Sequence, residues 1–322
     1  MKVSIIIPTY NRETMLCNTL ANIVSFEHQY HELIVVDQTK KHDQETQSFL
    51  DDLTAAGKIT WLYVDYPNLP NARNVGIGKS SGDIVLFFDD DVEINEKTIP
   101  SHVSGFNDRQ TGCVTGKITI QNINTTGNKV LEKSGSIKKH IKSLLFLFFR
   151  KRASYVGRLG VLSDFSGNKM LPADSCIGCN MSFRKDVFEK CGSFDTQFTG
   201  NAIREDTDMS VRLRRGGYKI AYIPQAALVH YMDNAGGTRT AATQAYWHTI
   251  FKNQCYFYIK NFRYSRLSIM LIHIFDFFRC SRQGLKPMPI FRQAWKAAKV
   301  IASPQCDDAE QRRTYESVPA VH

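Results

Sequence analysis

The chain has 322 residues, 43% of them apolar, and carries 41 Lys and Arg against 31 Asp and Glu, a formal charge of +10. That length and composition suit a soluble globular protein with one large α/β domain, or one domain plus an extension. Eight cysteines do not make a disulfide framework in a chain this size, and no stretch reaches the ~18 uninterrupted apolar residues that a spanning helix needs.

Met1-Lys2 leads straight into Val3-Ser4-Ile5-Ile6-Ile7-Pro8, an apolar run too short for a signal peptide and ended by Pro, so no leader is expected. Val3–Ile7 predicts a buried parallel strand, continuous and β-branched. Glu13–Val24 sets Leu16, Leu20, Ile23 and Val24 at helical spacing. Leu33–Val36 predicts a second buried strand ending at Asp37, Gln47–Leu53 a helix, Ile59–Val64 a third strand, and Asn71–Lys79 a short helix before Gly82. Ile84–Phe88 is a fourth strand, again ending on acids. Strands alternating with helices imply a mainly parallel sheet with right-handed crossovers. Val114–Gly116 predicts a further strand and residues 118–140 a polar loop. Ile177–Phe183 reads as a strand, Lys185–Cys191 as a helical turn, and Asp206–Arg215 as a helix closed by Gly216-Gly217. Lys219–Ile223 and Ala227–His230 are short strands; from Ala241 the pattern is helical, interrupted around Ser281–Pro289. The expected division is a domain over residues 1–240 and a helical, basic extension over 241–322.

In parallel α/β sheets, ligands bind beyond the carboxyl ends of the strands. Three strands end on polar signatures: Pro8-Thr9-Tyr10-Asn11-Arg12, Asp37-Gln38-Thr39 and Asp89-Asp90-Asp91. The fold should bring them to one rim. Three adjacent carboxylates repel one another unless a cation sits among them. Hard oxygen ligands suit Mg²⁺ or Mn²⁺, which bind one or two carboxylates together with substrate phosphates. A second acidic cluster, Glu205-Asp206-Thr207-Asp208, opens a helix whose other end carries Arg212, Arg214 and Arg215. Acids there are favoured by the helix dipole; the functional alternative is a general base that deprotonates an acceptor hydroxyl. His230 ends the last short strand, as a structural residue or a metal ligand. Cys176-Ile177-Gly178-Cys179 is a lone C-x-x-C with no second pair, and reads as small buried thiols in a reducing compartment, the cytoplasm.

These residues resemble the family 2 glycosyltransferases of the GT-A fold, over roughly residues 1–232. The resemblance rests on Ser4–Arg12, Val35-Val36-Asp37, Asn71-Ala72-Arg73-Asn74-Val75-Gly76, Phe88–Asp91, Gly178-Cys179-Asn180-Met181-Ser182-Phe183-Arg184 and Arg204–Asp208, in the family's order. It implies an α/β, Rossmann-like, mainly parallel sheet flanked by helices, with a C-terminal helical extension. It also implies roles. Pro8, Thr9, Tyr10, Asp37 and Arg73 would line the base and ribose pocket, with Arg12, Asp90 and Glu205 among the same nucleotide-sugar contacts. Asp89 and Asp91 match the acids of the D-x-D motif: Asp91 on the metal, Asp89 beside it and near the ribose. His230 matches a late histidine that completes the metal site, and Asp206 matches the catalytic base. Gly178 and Asn180 match a block that shapes the sugar or acceptor pocket. Gln38 departs from the pattern, since many relatives carry a second acid there, and this leaves the nucleotide open. The implied reaction is an inverting transfer, dependent on Mg²⁺ or Mn²⁺, from a nucleotide-diphosphate sugar to a hydroxyl of a glycan or lipid-linked acceptor in surface polysaccharide synthesis.

Two segments hold the positive charge. Residues 133–158 carry eight Lys and Arg and no acid; residues 241–322 carry twelve against five. Both are aromatic: Ser143–Phe149 lies between Lys138-Lys139 and Arg150-Lys151-Arg152, and Tyr256-Phe257-Tyr258 and Leu271–Phe275 lie near Arg263, Arg266 and Arg279. Such runs lie in the interface of an anionic membrane, or pack into a core or a dimer contact. The expectation is peripheral attachment at the inner face of a membrane, without a nucleic acid partner and with an oligomer left open. A nucleotidyltransferase would place a Gly-rich loop after the first strand, where this chain reads Thr9-Tyr10-Asn11-Arg12-Glu13. An oxidoreductase fails on the missing G-x-G-x-x-G, and an inactive sugar-binding subunit is disfavoured by the intact Asp89, Asp91 and Asp206.

Overall fold

The computed structural model describes residues 1–123, 129–130, 151–157, 160–232 and 243–303. The chain divides into two compact units, Met1–Thr196 with Glu205–Arg239, and Gln197–Arg204 with Thr240–His322.

The first unit begins as an alternation of strands and helices: β1 (Val3–Thr9), α1 (Thr14–Val24), β2 (Glu32–Asp37), α2 (Gln44–Ala55), β3 (Thr60–Tyr63), α3 (Leu69–Lys79) and β4 (Ile84–Phe88). Capping fixes the helix starts. Asp43 accepts from Thr46 N–H at 2.7 Å ahead of α2, and Asn68 accepts from Asn71 N–H at 2.9 Å ahead of α3, whose first turn holds Pro70. There follow β5 (Val92–Ile94), α4 (Thr98–Ser104), β6 (Thr111–Ile123), β7 (Lys129–Val130), β8 (Ser154–Gly157), β9 (Gly160–Ser163), β10 (Leu171–Ala173), β11 (Asn180–Arg184), α5 (Asp186–Cys191), α6 (Glu205–Arg215) and β12 (Lys219–Met232).

Along the main sheet the order is β10-β12-β6-β11-β4-β1-β2-β3, with β5 beside β12 and β7 beside β6. The strands β4, β1, β2 and β3 run parallel, and β11 is antiparallel to both its neighbours. Side-chain alternation explains why β1, β2 and β4 are mainly apolar on both faces. Ile5, Ile7, Leu33, Val35, Leu86 and Phe88 face the layer of α1, α2 and α4, while Ile6, Ile34, Val36, Val85 and Phe87 face that of α3, α5 and α6.

The sequence expectations for β1 to β4 hold to within a few residues. Two later ones need correction. Residues 118–123, read as polar loop, continue β6, while 124–128 and 131–140 lie outside the described residues. The two short strands at 219–230 are one strand, β12, whose register against β6 shifts between Ile223 and Leu228. Pro224 lies in that shift and offers no N–H to a ladder.

The shift also explains Gly116 in β6. A Cβ there would lie 1.7 Å from the carbonyl oxygen of Ala226 and 2.5 Å from Asn180 Nδ2. Asn180 Nδ2 itself donates to that carbonyl at 2.9 Å and to Lys117 O at 3.1 Å, and its Oδ1 meets His102 Nε2 at 2.7 Å. Burial holds His102 well below the usual histidine range, at about 4, so it stays neutral in this knot.

The second unit is helical: α7 (Gln244–Phe262), α8 (Arg266–Ile272), α9 (Ile274–Arg282) and α10 (Pro287–Ile301). Phe251 of α7 packs on Phe277 and Phe291, and Trp247 Nε1 donates to Gln283 at 2.6 Å. Arg263 ends α7 in the left-handed region at φ 55°, a break that the helical spacing did not announce. Tyr256, Phe257 and Tyr258, one candidate for a membrane interface, are buried here; the Ser143–Phe149 run lies outside the described residues. Among the described residues no helix is long and apolar enough to cross a membrane.

Gly116→Ala is expected to lower stability by about 3 kcal/mol, because backbone rather than a flexible side chain stands in the way. Urea denaturation of the variant measures it, and an unchanged midpoint would show that the bulge moves freely.

Candidate functional site

The carboxyl ends of β1, β2 and β4 meet because β1 lies between the other two, with Thr9 opposite Asp37 and Ile6 opposite Phe87. Beyond Phe88 the chain turns through Asp89–Asp91 into β5. That strand pairs antiparallel with β12, placing Val92 opposite His230, and Tyr231 N–H donates to Asp91 O at 2.8 Å. One short strand pairing thus carries a late histidine to an early acid.

The three aspartates have three environments. Asp90 points inward, accepting from Thr9 Oγ1 at 2.7 Å with Arg12 Nε 3.5 Å away. Burial, and then the charge on Asp91, push its pKa up to about 7 against the pull of Arg12. Asp91 is also buried. One of its oxygens accepts from Arg12 Nη2 at 3.0 Å and the other lies 2.8 Å from His230 Nε2. Asp89 keeps 31% of its side chain exposed and lies 3.5 Å from Arg73 Nη2. Burial works against charge on His230, but its hydrogen bonds with Asp91 and Cys179 outweigh that and raise its pKa to about 11. The repulsion among the aspartates is therefore relieved in part from within, by Arg12 and by the raised pKa of Asp90.

One donor atom from each of Asp89, Asp91 and His230 lies within 4.8 Å of the others. Two carboxylate oxygens and an imidazole nitrogen, with Asp89 on the accessible side, are a donor set that Mg²⁺ or Mn²⁺ accepts. The residues present fit such an ion.

Arg73 joins this corner to the second acidic cluster. Its side chain is 1% exposed, and the guanidinium lies over the rings of Phe87 and Phe194, at 5.9 and 5.4 Å. It pairs with Glu205 and donates to Gly178 O at 3.2 Å. Burial drives the Glu205 pKa up to about 7 although Arg73 opposes it, and Glu205 Oε2 has no hydrogen-bond partner. Asp206, half-buried in the first turn of α6, accepts from Gly178 N–H at 3.0 Å and from Thr207 N–H at 2.6 Å. Gly178 must be small: a Cβ there would lie 2.9 Å from Arg73 Nη2. Asp208 is buried against Arg212 at 2.9 Å.

The sequence-expected residues fall into two groups. Tyr10, Asp89, Gly178, Asp206 and His230 are at least partly exposed. Pro8, Thr9, Arg12, Asp37, Arg73, Asp90, Asp91, Asn180 and Glu205 are buried, and the polar side chains among them are engaged with other protein groups. Asp37 is the clearest case. At 0% exposure it accepts from Thr39 N–H at 2.8 Å and Trp61 Nε1 at 3.1 Å, and meets His42 Nε2 at 2.7 Å. His42 Nδ1 reaches Glu13 at 3.0 Å. Burial opposes charge on His42, and its hydrogen bonds to Asp37 and Glu13 overcome this and raise its pKa. Sequence reading missed the Glu13–His42–Asp37–Trp61 cluster, because its members come from three separate segments with no motif spacing.

A family model described as "Glycosyl transferase family 2" matches residues 4–192, well over half of the chain, and one described as "Glycosyl transferase family group 2" matches residues 138–282. The "Probable glycosyltransferase YdaM" of Bacillus subtilis is 23% identical over 70% of this chain and 49% of its own length. The O-antigen chain rhamnosyltransferase RfbN of Salmonella typhimurium is 25% identical over 71% of this chain and 66% of its own. The chain thus spans half to two thirds of these relatives. Among solved structures, the mannosyltransferase PcManGT from Pyrobaculum calidifontis, in complex with GDP-Man and Mn²⁺, superposes with a TM-score of 0.54 at 16% identity, over 98% of this chain and 82% of its own.

His42→Ala is expected to cost about 3 kcal/mol, because it leaves Asp37 buried without its cation. The folded pKa of His42 is raised, so its stabilisation is complete below the ordinary value of ~6.5 and is lost as pH rises through the folded value. The stability gap between variant and parent should therefore narrow toward alkaline pH. Denaturation midpoints across pH measure this, and a pH-independent gap would mean that His42 acts without charge.

Proposed function

The chain belongs to glycosyltransferase family 2 and has its GT-A fold, and from that premise we propose that it moves a sugar from a nucleoside diphosphate donor to a hydroxyl acceptor with inversion. The observation that carries this reading is the convergence of Asp89, Asp91 and His230 at one strand end, joined through Arg73 and Gly178 to Asp206. Residues 1–240 would perform the transfer, with 241–322 as an extension.

Asp89, Asp91 and His230 would hold Mg²⁺ or Mn²⁺, which supplies a Lewis acid for the leaving diphosphate when bound. The remaining chemistry belongs to side chains. The donor lies against the end of β1, where Tyr10 is the accessible residue of its group. Asp37 supports that pocket from behind, since its oxygens are taken by Thr39, His42 and Trp61. Arg12 and Arg73 keep the acids placed while charge shifts in front of them. Asp206, anchored on two backbone N–H groups, takes the proton from the acceptor hydroxyl as that oxygen attacks the anomeric carbon. As the bond to the diphosphate breaks, its electron pair leaves with the phosphate oxygen.

The acceptor we infer is a surface polysaccharide or a lipid-linked glycan at the inner face of a membrane. The O-antigen relative and the basic second unit support this class.

Asp206→Asn should keep donor binding and lower transfer by about 10²–10⁴-fold. Turnover near the parent's, combined with loss in Glu205→Gln, would move the base to Glu205. Chelation should abolish release of nucleoside diphosphate from a sugar-nucleotide panel, and added Mn²⁺ or Mg²⁺ should restore it. Full activity in chelator would remove the ion from the reading, and release of pyrophosphate would indicate a nucleotidyltransferase instead.

A further inference from the structure

A surface helix needs one apolar stripe to pack against its own protein. The α8–α9 pair has two. Ile269, His273, Phe277 and Cys280 form the inner one: all are buried, with Phe277 packed against Phe251 and Phe291 and His273 against Tyr258. Leu267, Leu271, Ile274, Phe275 and Phe278 form a second stripe at the helical steps of four, three, one and three. They are 60%, 60%, 39%, 50% and 60% exposed. Among the described residues twelve large hydrophobics are exposed, and five of them fall in this twelve-residue window.

The charge around the stripe selects its occupant. Between Thr243 and Ser303 the unit has ten Lys and Arg and a single acid, Asp276, which is held by His273 and Arg279. Arg263 and Arg266 precede the stripe, and Arg282 and Lys286 follow it; all four are exposed. A second copy of the chain would bring an equal set of cations to the contact, and like charges would oppose it. Anionic lipid offers both halves of the complement, acyl chains for the rings and phosphates for the guanidiniums.

We propose that the Leu267–Phe278 face is a docking surface for an anionic phospholipid monolayer, with α8 and α9 lying in its interface. This deepens the reading of a membrane-borne acceptor by naming the segment that meets the bilayer. Its test uses no sugar, so its failure leaves the transfer chemistry standing.

The full chain should sediment with phosphatidylglycerol–phosphatidylethanolamine vesicles at low ionic strength, much less with phosphatidylcholine vesicles, and be released by salt. Phe275→Glu with Phe278→Glu should weaken partition by about tenfold or more, with circular dichroism unchanged. Hydrogen exchange on the unaltered chain checks this without a variant: amides of residues 266–282 should gain protection when anionic vesicles are added. The proposal is overturned if the chain stays in the supernatant, if those amides gain nothing, or if the folded double variant sediments like the parent. It is equally overturned if the variant only turns a dimer into a monomer and leaves lipid binding unchanged, since the face would then be a contact between copies.

Discussion

Five carboxylates and two guanidiniums at one end of a sheet set the terms for the rest of the first unit. Like charges about 4 Å apart near a protein surface repel by about 4 kcal/mol, and a whole domain is stable by only about 5–15 kcal/mol. Asp89, Asp90, Asp91, Glu205 and Asp206 therefore need compensation from inside the fold. Arg12 supplies it at Asp90 and Asp91, and Arg73 at Asp89 and Glu205. Each guanidinium bridges two acids, a geometry that a single ammonium reproduces poorly. Arg73 is in turn seated on Phe87 and Phe194, two rings of the cluster that packs α3, α5 and α6 onto the sheet. Core packing and site electrostatics thus share residues.

Most of the parallel half of the sheet was legible because β1, β2 and β4 are buried on both faces, so that Val3–Ile7 and Ile84–Phe88 read as nearly continuous apolar runs ended by polar turns. The antiparallel half was less so. The bulge at Pro224 split one strand into two apparent ones, and β6 carries polar residues that mimic a loop. At the site, the acidic clusters could be read from the ends of strands and a helix, and the resemblance to the family pointed to Arg12, Arg73 and His230, but neither gave a sense of depth. Nothing in Val36-Asp37-Gln38 indicates that the Asp37 carboxylate faces His42 and Trp61 and is closed to solvent. Depth is set by long-range packing, which a one-dimensional pattern does not contain. For the same reason Tyr256-Phe257-Tyr258 and Leu271–Phe275 looked alike in sequence, although the first is core and Leu271, Ile274 and Phe275 of the second are on the surface.

The exposed and buried members of the site divide its tasks. Tyr10, Asp89, Asp206 and His230 can be reached from solvent, and behind them lies a layer of saturated polar groups: Thr9 on Asp90, Asn180 on Ala226 and Lys117, Asp37 on Thr39 and Trp61. Such a layer holds its orientation only when every member is paired, because low polarity strengthens each bond and penalises each orphan alike. Substitutions there would alter the geometry of the groups in front of them.

The pairing of β5 with β12 also has a temporal side. A chain leaves the ribosome amino end first, so the three aspartates emerge some 140 residues ahead of His230, whose strand is the last among the described residues of the first unit. Until that strand inserts between β6 and β10, the three aspartates have Arg12 and Arg73 beside them but not His230, and the sheet has an unfilled slot. Completion of the acidic corner and closure of the sheet are then the same late event, so a truncated translation product lacks both together.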